Sequence, residues 1–129
     1  MSDDVKRILI VDDNVALARV TQFAMESAGF ATQTARNARI AFELAQESQY
    51  DAVITDQQMP EMTGLELCEN LRSMPEYANC PIVLLTAKGL ELELPRLQKE
   101  LGIDATFSKP FSPSALVTTV NELLATAAT

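Results

Sequence analysis

The sequence predicts an α/β fold in which five parallel strands alternate with five helices. Short apolar runs alternate with amphipathic helical patterns along the whole chain, and three of the runs, at residues 7–11, 52–55 and 81–86, are largely apolar. Such runs are typical of central strands covered on both faces, and right-handed crossovers place the helices there. No linker or repeat interrupts the 129 residues, so we expect one domain, residues 1–129, with a core from about 6 to 126.

Two further strands complete the predicted sheet, at residues 30–34 and 105–109. The first helix follows the first strand over residues 14–29 and ends at Gly29. Helical periodicity predicts that its inner face consists of Leu17, Val20, Thr21, Ala24 and Ala28.

The next two helices have clear start signals. Asn37 is a good N-cap for the second helix, and Thr63 with Glu66 has capping-box spacing at the start of the third. The fifth helix begins with Ser112 as N-cap and Pro113 in its first position.

The fourth helix is the least regular. It carries Leu90, Leu94, Leu97 and Leu101 near one face, but Pro95 disfavours helix at the residue before it and removes a backbone donor. The helix therefore either begins at Pro95 after a long loop or is kinked there.

Composition excludes several classes of function. With a net charge of −8, the chain lacks the basic surface that direct binding to nucleic acid or to an anionic membrane requires. The absence of histidine excludes Ser-His and Cys-His catalysis and the usual zinc sites. No apolar run has the length of a membrane span, the start is unlike a signal peptide, and Cys68 and Cys80 are best explained as reduced thiols. We therefore expect a cytoplasmic protein.

Polar side chains stand at the ends of four predicted strands. In a parallel sheet these ends share one edge, where ligands bind, so we expect the following residues to meet there: Asp12, Asp13, Asp56, Thr86 and Lys109. Three carboxylates form the hard oxygen site that Mg²⁺ accepts, and the cation would offset their repulsion. A lysine and a threonine opposite them can bind an anion, and an aspartate can attack phosphorus. Taken singly, each residue has an ordinary explanation, such as a helix cap or a turn; the combination favours a common site.

Four motifs carry a resemblance to a known family. "VDDN", "DQQMPEMTGLEL", "LLTAK" and "FSKPF" occur in the order and at the spacings of the receiver domain of two-component response regulators, including the stand-alone chemotaxis type. The resemblance covers nearly the whole chain. It implies a flavodoxin-like doubly wound fold with strand order 2-1-3-4-5.

The resemblance also implies a role for each site residue. Asp56 would be the phosphorylated residue, and Mg²⁺, or Mn²⁺ in its place, would be bound by Asp12, Asp13, Asp56 and the carbonyl of Gln58. Thr86 and Lys109 would bind the phosphoryl oxygens.

The remaining implied roles concern switching and lifetime. Thr86 and Phe107 would form the switch, and the Lys109–Pro110 bond would be cis. We expect Gln58 and Lys88, at positions that vary among relatives, to tune the phosphoryl lifetime.

The predicted function is that of a response regulator receiver in a phosphorelay. A histidine kinase or histidine phosphotransfer protein would supply the phosphoryl group in trans, because the chain has no histidine. The domain would catalyse only its own phosphorylation and dephosphorylation and would not be an enzyme otherwise. It would act as a monomer or a phosphorylation-dependent dimer on a downstream protein that the sequence does not identify, either alone or as part of a longer regulator.

Three alternatives stay open at the level of sequence. The first is a receiver-like interaction module that takes no phosphate, against which the intact site counts. The second is a flavodoxin-like FMN carrier, although "VDDNVA" is anionic where a phosphate-binding loop would lie. The third is an aspartate-based phosphatase, which would carry a general acid where this chain has Gln58.

Overall fold

The computed structural model describes residues 5–87 and 93–127, and in these residues it contains the five predicted strands and five helices. A 3₁₀ turn, Pro75–Tyr77, lies between the third helix and the fourth strand. The elements are β1 (Arg7–Val11), α1 (Val15–Ser27), β2 (Ala31–Ala35), α2 (Ala38–Glu47), β3 (Ala52–Asp56), α3 (Gly64–Arg72), β4 (Ile82–Thr86), α4 (Leu94–Leu101), β5 (Ala105–Ser108) and α5 (Pro113–Ala127).

The sheet is parallel throughout, with strand order β2-β1-β3-β4-β5, which confirms the predicted topology. Alternate residues of the central strands point into two separate apolar layers, as the pleat requires. Leu9, Val53 and Leu84 belong to the layer that α2, α3 and α4 cover. Ile10, Ile54 and Leu85 belong to the layer that also contains buried residues of α1 and α5. The sheet is therefore covered on both faces, which explains its apolar central strands.

The predicted helix caps are confirmed. The side chain of Asn37 accepts from the Ile40 amide at 2.7 Å, and Thr63 and Glu66 form a reciprocal capping box. Ser112 Oγ accepts from the Ala115 amide at 3.2 Å. These local bonds satisfy first-turn donors that have no partner within the helix.

The predicted inner face of α1 is correct at Thr21, which is buried, but wrong at Val20 and Ala28, which are exposed. The buried residues of α1 are Ala18, Thr21 and Met25, whereas Val20 is 47% exposed and Phe23 74% exposed. Val20 and Phe23 line an open groove between α1 and α5. Because α1 is apolar around most of its circumference, helical periodicity is compatible with more than one buried stripe.

Helix α4 begins at Leu94, with Pro95 in its first turn, and Leu97 is buried. The helix thus begins one residue before Pro95, the predicted start. In the first turn, the backbone donor that proline lacks would have had no partner within the helix. The helix ends at Gly102, which adopts the left-handed conformation with φ of 67°. Residues 88–92, which include Lys88 and Leu90, lie outside the described residues.

Within residues 5–87 and 93–127, no helix has the length and apolar character needed to cross a membrane.

Candidate phosphoryl and cation site

The carboxyl ends of β1, β3, β4 and β5 bring the predicted site residues together. Asp56 is the last residue of β3 and Thr86 the last of β4, and both are buried. Backbone bonds continue the ladder beyond the strand ends: the Asp12 amide donates to the Ala35 carbonyl at 3.0 Å, and the Lys109 amide donates to the Thr86 carbonyl at 2.9 Å. Asp12 and Lys109 are thereby fixed at the same edge as Asp56.

Lys109 supplies a positively charged side chain next to two of these aspartates. Its Nζ lies 3.1 Å from Asp56 Oδ1 and 3.8 Å from Asp12 Oδ2. Both carboxylates are almost fully buried, while the lysine side chain is 30% exposed. A partly exposed ammonium can bind an anion arriving from solvent while it stays close to Asp56.

Asp12 is poorly compensated. Its Oδ1 accepts from the Asn14 amide at 2.9 Å, but its Oδ2 is buried without a hydrogen bond. Burial raises the pKa of Asp12 above its usual value, and the nearby charges of Asp56 and Asp13 raise it further, although Asn14 and Lys109 oppose the shift. A buried oxygen of this kind indicates that the site favours an additional positive partner.

The three acids fit a divalent cation. One carboxylate oxygen from each of Asp12, Asp13 and Asp56 can be chosen so that all lie within 4.8 Å of one another. Hard oxygen ligands of this number suit Mg²⁺, which keeps several of its waters. Asp13 is exposed and Asp12 is buried, so the group opens to solvent on one side. Gln58, whose carbonyl is a further ligand implied by the resemblance, follows Asp56 by two residues and is exposed.

The loop after Asp56 is anchored by Gln57, a residue that the sequence interpretation missed. The Gln57 amide donates to the Leu85 carbonyl at 2.8 Å, and its own carbonyl accepts from Gly64 at 3.0 Å. Its side-chain Oε1 accepts from the Leu65 amide at 2.8 Å. The sequence feature that could have identified Gln57 is its position as a polar residue between Asp56 and the start of α3.

Gly64 is required by close packing. A Cβ at this position would lie 2.3 Å from the carbonyl oxygen of Asp56. Any side chain at Gly64 would therefore push the acceptor strand and α3 apart.

Of the predicted switch residues, Thr86 is the last residue of β4 and Phe107 lies within β5. Phe107 is partly buried and packs edge-on against Phe111, with ring centroids 6.4 Å apart and an interplanar angle of 69°. The Lys109–Pro110 peptide bond is cis, as the resemblance implies. Lys88 lies outside the described residues, so the structure places every predicted site residue except this one.

Fold and site together define a doubly wound α/β protein with a cluster of three aspartates beside a lysine at the carboxyl edge of its sheet. Residues 8–121 match the family model described as the response regulator receiver domain. The chain therefore belongs to the response regulator receiver family, whose members transmit signals by phosphorylation in two-component systems. The alternatives of an FMN carrier or of a module that takes no phosphate are not favoured.

Individual relatives agree with this assignment. The transcriptional regulatory protein SrrA of Staphylococcus aureus is 39% identical over 118 residues, which cover 91% of this chain and 47% of that protein. The chain thus spans about half the length of the curated relatives it matches. The chemotaxis protein CheY4 of Vibrio cholerae is 30% identical with a TM-score of 0.86, and the match covers 93% of this chain and 99% of that one. A CheY-like receiver domain protein of Methanospirillum hungatei is 27% identical with a TM-score of 0.86 over 95% and 96% of the two chains.

Proposed function

We propose that Asp56 accepts a phosphoryl group from a phosphohistidine of a partner protein. The observation that carries this proposal is the buried Asp56 carboxylate, 3.1 Å from Lys109 Nζ and grouped with Asp12 and Asp13. A carboxylate oxygen of Asp56 attacks phosphorus, the P–N bond of the donor breaks, and its electron pair returns to the imidazole nitrogen. The product is an acyl phosphate on Asp56.

The surrounding residues neutralise charge during this transfer. Asp12, Asp13, Asp56 and the Gln58 carbonyl would hold Mg²⁺, or Mn²⁺ in its place, which supplies charge neutralisation for the phosphoryl oxygens when bound. Lys109 exchanges its contact with Asp56 for one with a phosphoryl oxygen. The hydroxyl of Thr86, at the end of the neighbouring strand, donates to another.

Signalling follows from the new contacts. When Thr86 binds the phosphoryl group, Phe107 moves toward the space that Thr86 leaves, and the surface around α4, β5 and α5 changes population between two states. The edge-on packing of Phe107 against Phe111 supports a defined starting position for this movement. Attack of water on the acyl phosphate resets the domain, so its only chemistry is performed on itself.

The phosphoryl lifetime depends on access of water to the site. Gln58 is exposed beside the acids, where its side chain can shield the phosphoryl group. We propose the same role for Lys88 from its place in the sequence. Gln58→Ala and Lys88→Ala should each change the rate of phosphoryl loss, measured by quenched-time-course mass spectrometry; unchanged decay in both variants would contradict this role.

The partners follow from the chemistry. A histidine kinase or a histidine phosphotransfer protein supplies the phosphohistidine, since this chain contains no histidine. The downstream partner is a protein that recognises the phosphorylated surface, which also permits a phosphorylation-dependent dimer. Cys68 and Cys80 are both buried and unpaired, which supports the predicted cytoplasmic location.

The test is direct phosphorylation by a small-molecule donor. The protein is incubated with acetyl phosphate and Mg²⁺, and the intact mass is recorded beside Asp56→Asn and an EDTA control. We expect a gain of one phosphoryl group in the wild type that is absent in both controls. A wild-type protein that binds Mg²⁺ but gains no mass would contradict the proposed function.

A further inference from the structure

Gln57 joins the acceptor strand to the start of α3 through both its backbone and its side chain. The backbone bonds run to Leu85 on one side and to Gly64 on the other. The side-chain Oε1 accepts from Leu65 at 2.8 Å. Because three bonds converge on one residue, its peptide units are fixed with respect to both β4 and α3.

The Leu65 amide depends on Gln57 for its partner. In the first turn of α3, the Gly64 amide donates to the Gln57 backbone, and the Glu66 amide donates to Thr63 Oγ1 at 3.2 Å. Leu65 has the Gln57 side chain as its acceptor. Without that oxygen, a partly buried N–H would lose its hydrogen bond, which is unfavourable.

The next residue, Gln58, carries the carbonyl proposed as the fourth protein ligand of the cation. It is flanked by the anchored Gln57 and by Met59, which is buried. Beyond it, the loop is tight: the Met62 amide donates to the Pro60 carbonyl at 2.8 Å, and Glu61 has a positive φ of 71°. The backbone at Gln58 is therefore held from both sides while its side chain is exposed.

We propose that the side-chain amide of Gln57 is a positioning group for the cation site, an inference that rests on the proposed function. By accepting from Leu65, it fixes the peptide that bears the Gln58 carbonyl relative to the carboxylates of Asp12 and Asp56. Mg²⁺ requires near-octahedral ligands at short distances, so a small displacement of one ligand weakens binding. Residues that orient metal ligands without touching the metal typically change affinity by roughly 10- to 100-fold when they are removed.

The test compares Mg²⁺ affinity among four variants. Gln57→Met keeps the length of the side chain but removes the acceptor, and Gln57→Glu retains an acceptor oxygen. Thr63→Ala removes a cap from the same helix without touching Gln57. Gln49→Met removes a glutamine that donates to the Glu76 carbonyl, which lies outside the cation site. Magnesium dissociation constants are measured by isothermal titration, and thermal stability is measured in metal-free buffer.

We expect Gln57→Met to weaken Mg²⁺ binding roughly tenfold. Gln57→Glu should bind at least as tightly as the wild type, and Thr63→Ala and Gln49→Met should match the wild type. In metal-free protein, the Leu65 amide should exchange with solvent faster in Gln57→Met and at the wild-type rate in Gln57→Glu. Should Gln57→Met fail to fold, Gln57→Asn, whose side chain is one methylene shorter, takes its place.

Three outcomes would overturn the inference. Wild-type affinity in Gln57→Met means that the bond to Leu65 does not position the ligand. Equal weakening in Gln57→Glu means that the acceptor oxygen is not responsible, and equal weakening in Thr63→Ala means that the effect reflects helix stability alone. These results leave the proposed function intact as long as the wild type binds Mg²⁺ and accepts a phosphoryl group. A wild type that binds no Mg²⁺ would contradict both the proposed function and the inference about Gln57.

Discussion

The two edges of the sheet differ in whether their buried polar groups have hydrogen-bond partners. At the amino edge, where the parallel strands begin, the Arg72 guanidinium donates to the carbonyls of Leu101 at 2.7 Å and Gly102 at 2.8 Å, and also to that of Tyr77. The Tyr77 hydroxyl lies 2.8 Å from the Ser48 carbonyl and accepts from the Tyr50 amide at 3.2 Å. These groups are buried or partly buried, and each has protein partners.

At the carboxyl edge, by contrast, Asp12 and Asp56 are buried beside each other with one lysine between them, and an oxygen of Asp12 has no hydrogen bond. The comparison indicates that the amino edge stabilises the fold, whereas the carboxyl edge is arranged for a charge that arrives from outside.

The largest effect is expected at Arg72. Arg72→Met should lower the free energy of unfolding by about 3 kcal/mol or more, because several carbonyls lose a charged donor in a partly buried site. Urea unfolding in metal-free buffer measures the change. Arg96→Met is the control, since Arg96 is exposed and paired with Glu93 and Glu100, and it should change the free energy of unfolding far less than Arg72→Met does. Equal losses in the two variants would contradict a special role for the amino edge.

Tyr77 should follow. Tyr77→Phe keeps the buried ring but removes the hydroxyl that bonds Ser48 and Tyr50, so we expect a loss of about 1–3 kcal/mol in the same urea experiment. Tyr50→Phe is the matched control, because the Tyr50 hydroxyl has no hydrogen-bond partner in the described part of the chain. A loss in Tyr50→Phe as large as in Tyr77→Phe would mean that the loss in Tyr77→Phe does not come from the hydrogen bonds of its hydroxyl.

The opposite sign is expected at the carboxyl edge. Asp12→Asn should raise the unfolding free energy of the metal-free protein by about 1 kcal/mol, because it removes a buried charge close to Asp56 while keeping an acceptor for Asn14. The same variant should lose the stabilisation that Mg²⁺ gives the wild type. Thermal denaturation with and without Mg²⁺ distinguishes the two effects. A lower unfolding free energy for metal-free Asp12→Asn than for the wild type would mean that the buried charge of Asp12 does not destabilise the metal-free protein.

The difference in unfolding free energy between Asp12→Asn and the wild type should depend on pH with a defined sign. Burial raises the pKa of Asp12 above its ordinary 3.8. Between that value and the raised one, the folded state binds more protons than the unfolded state, so stability falls as the pH rises. The advantage of Asp12→Asn over the wild type should therefore be absent well below pH 3.8 and should grow as the pH rises through this window. Paired urea titrations at several pH values measure it; an advantage independent of pH would contradict the assignment to Asp12.

The smallest effect concerns the thiol at the amino edge. Burial raises the pKa of Cys80 to about 12, and that of Cys68, inside α3, also to about 12. At pH 8 both thiols are protonated, so neither should react measurably with a disulfide reagent in the folded protein, whereas both should react in urea. Rapid modification of the native protein, followed by absorbance, would show that the amino edge opens more readily than its bonds suggest.

Much of the fold was predictable because its signals are local. The strands were predicted to within one residue at each end, and Asn37, Thr63 and Ser112 mark their helices through bonds to amides three residues away. The gathering of Asp12, Asp56, Thr86 and Lys109 was predictable too. A parallel sheet places the ends of its strands at one edge whatever their side chains are.

The sequence by itself thus determined the topology, the caps and the residue types at the site. The tertiary structure alone decided which stripe of α1 is buried, where α4 begins, and that Gln57 bonds to Leu65. These features depend on how neighbouring elements pack. An apolar helix can bury more than one stripe, and a glutamine side chain can reach many partners, so the competing arrangements are separated only by contacts between residues distant in the sequence.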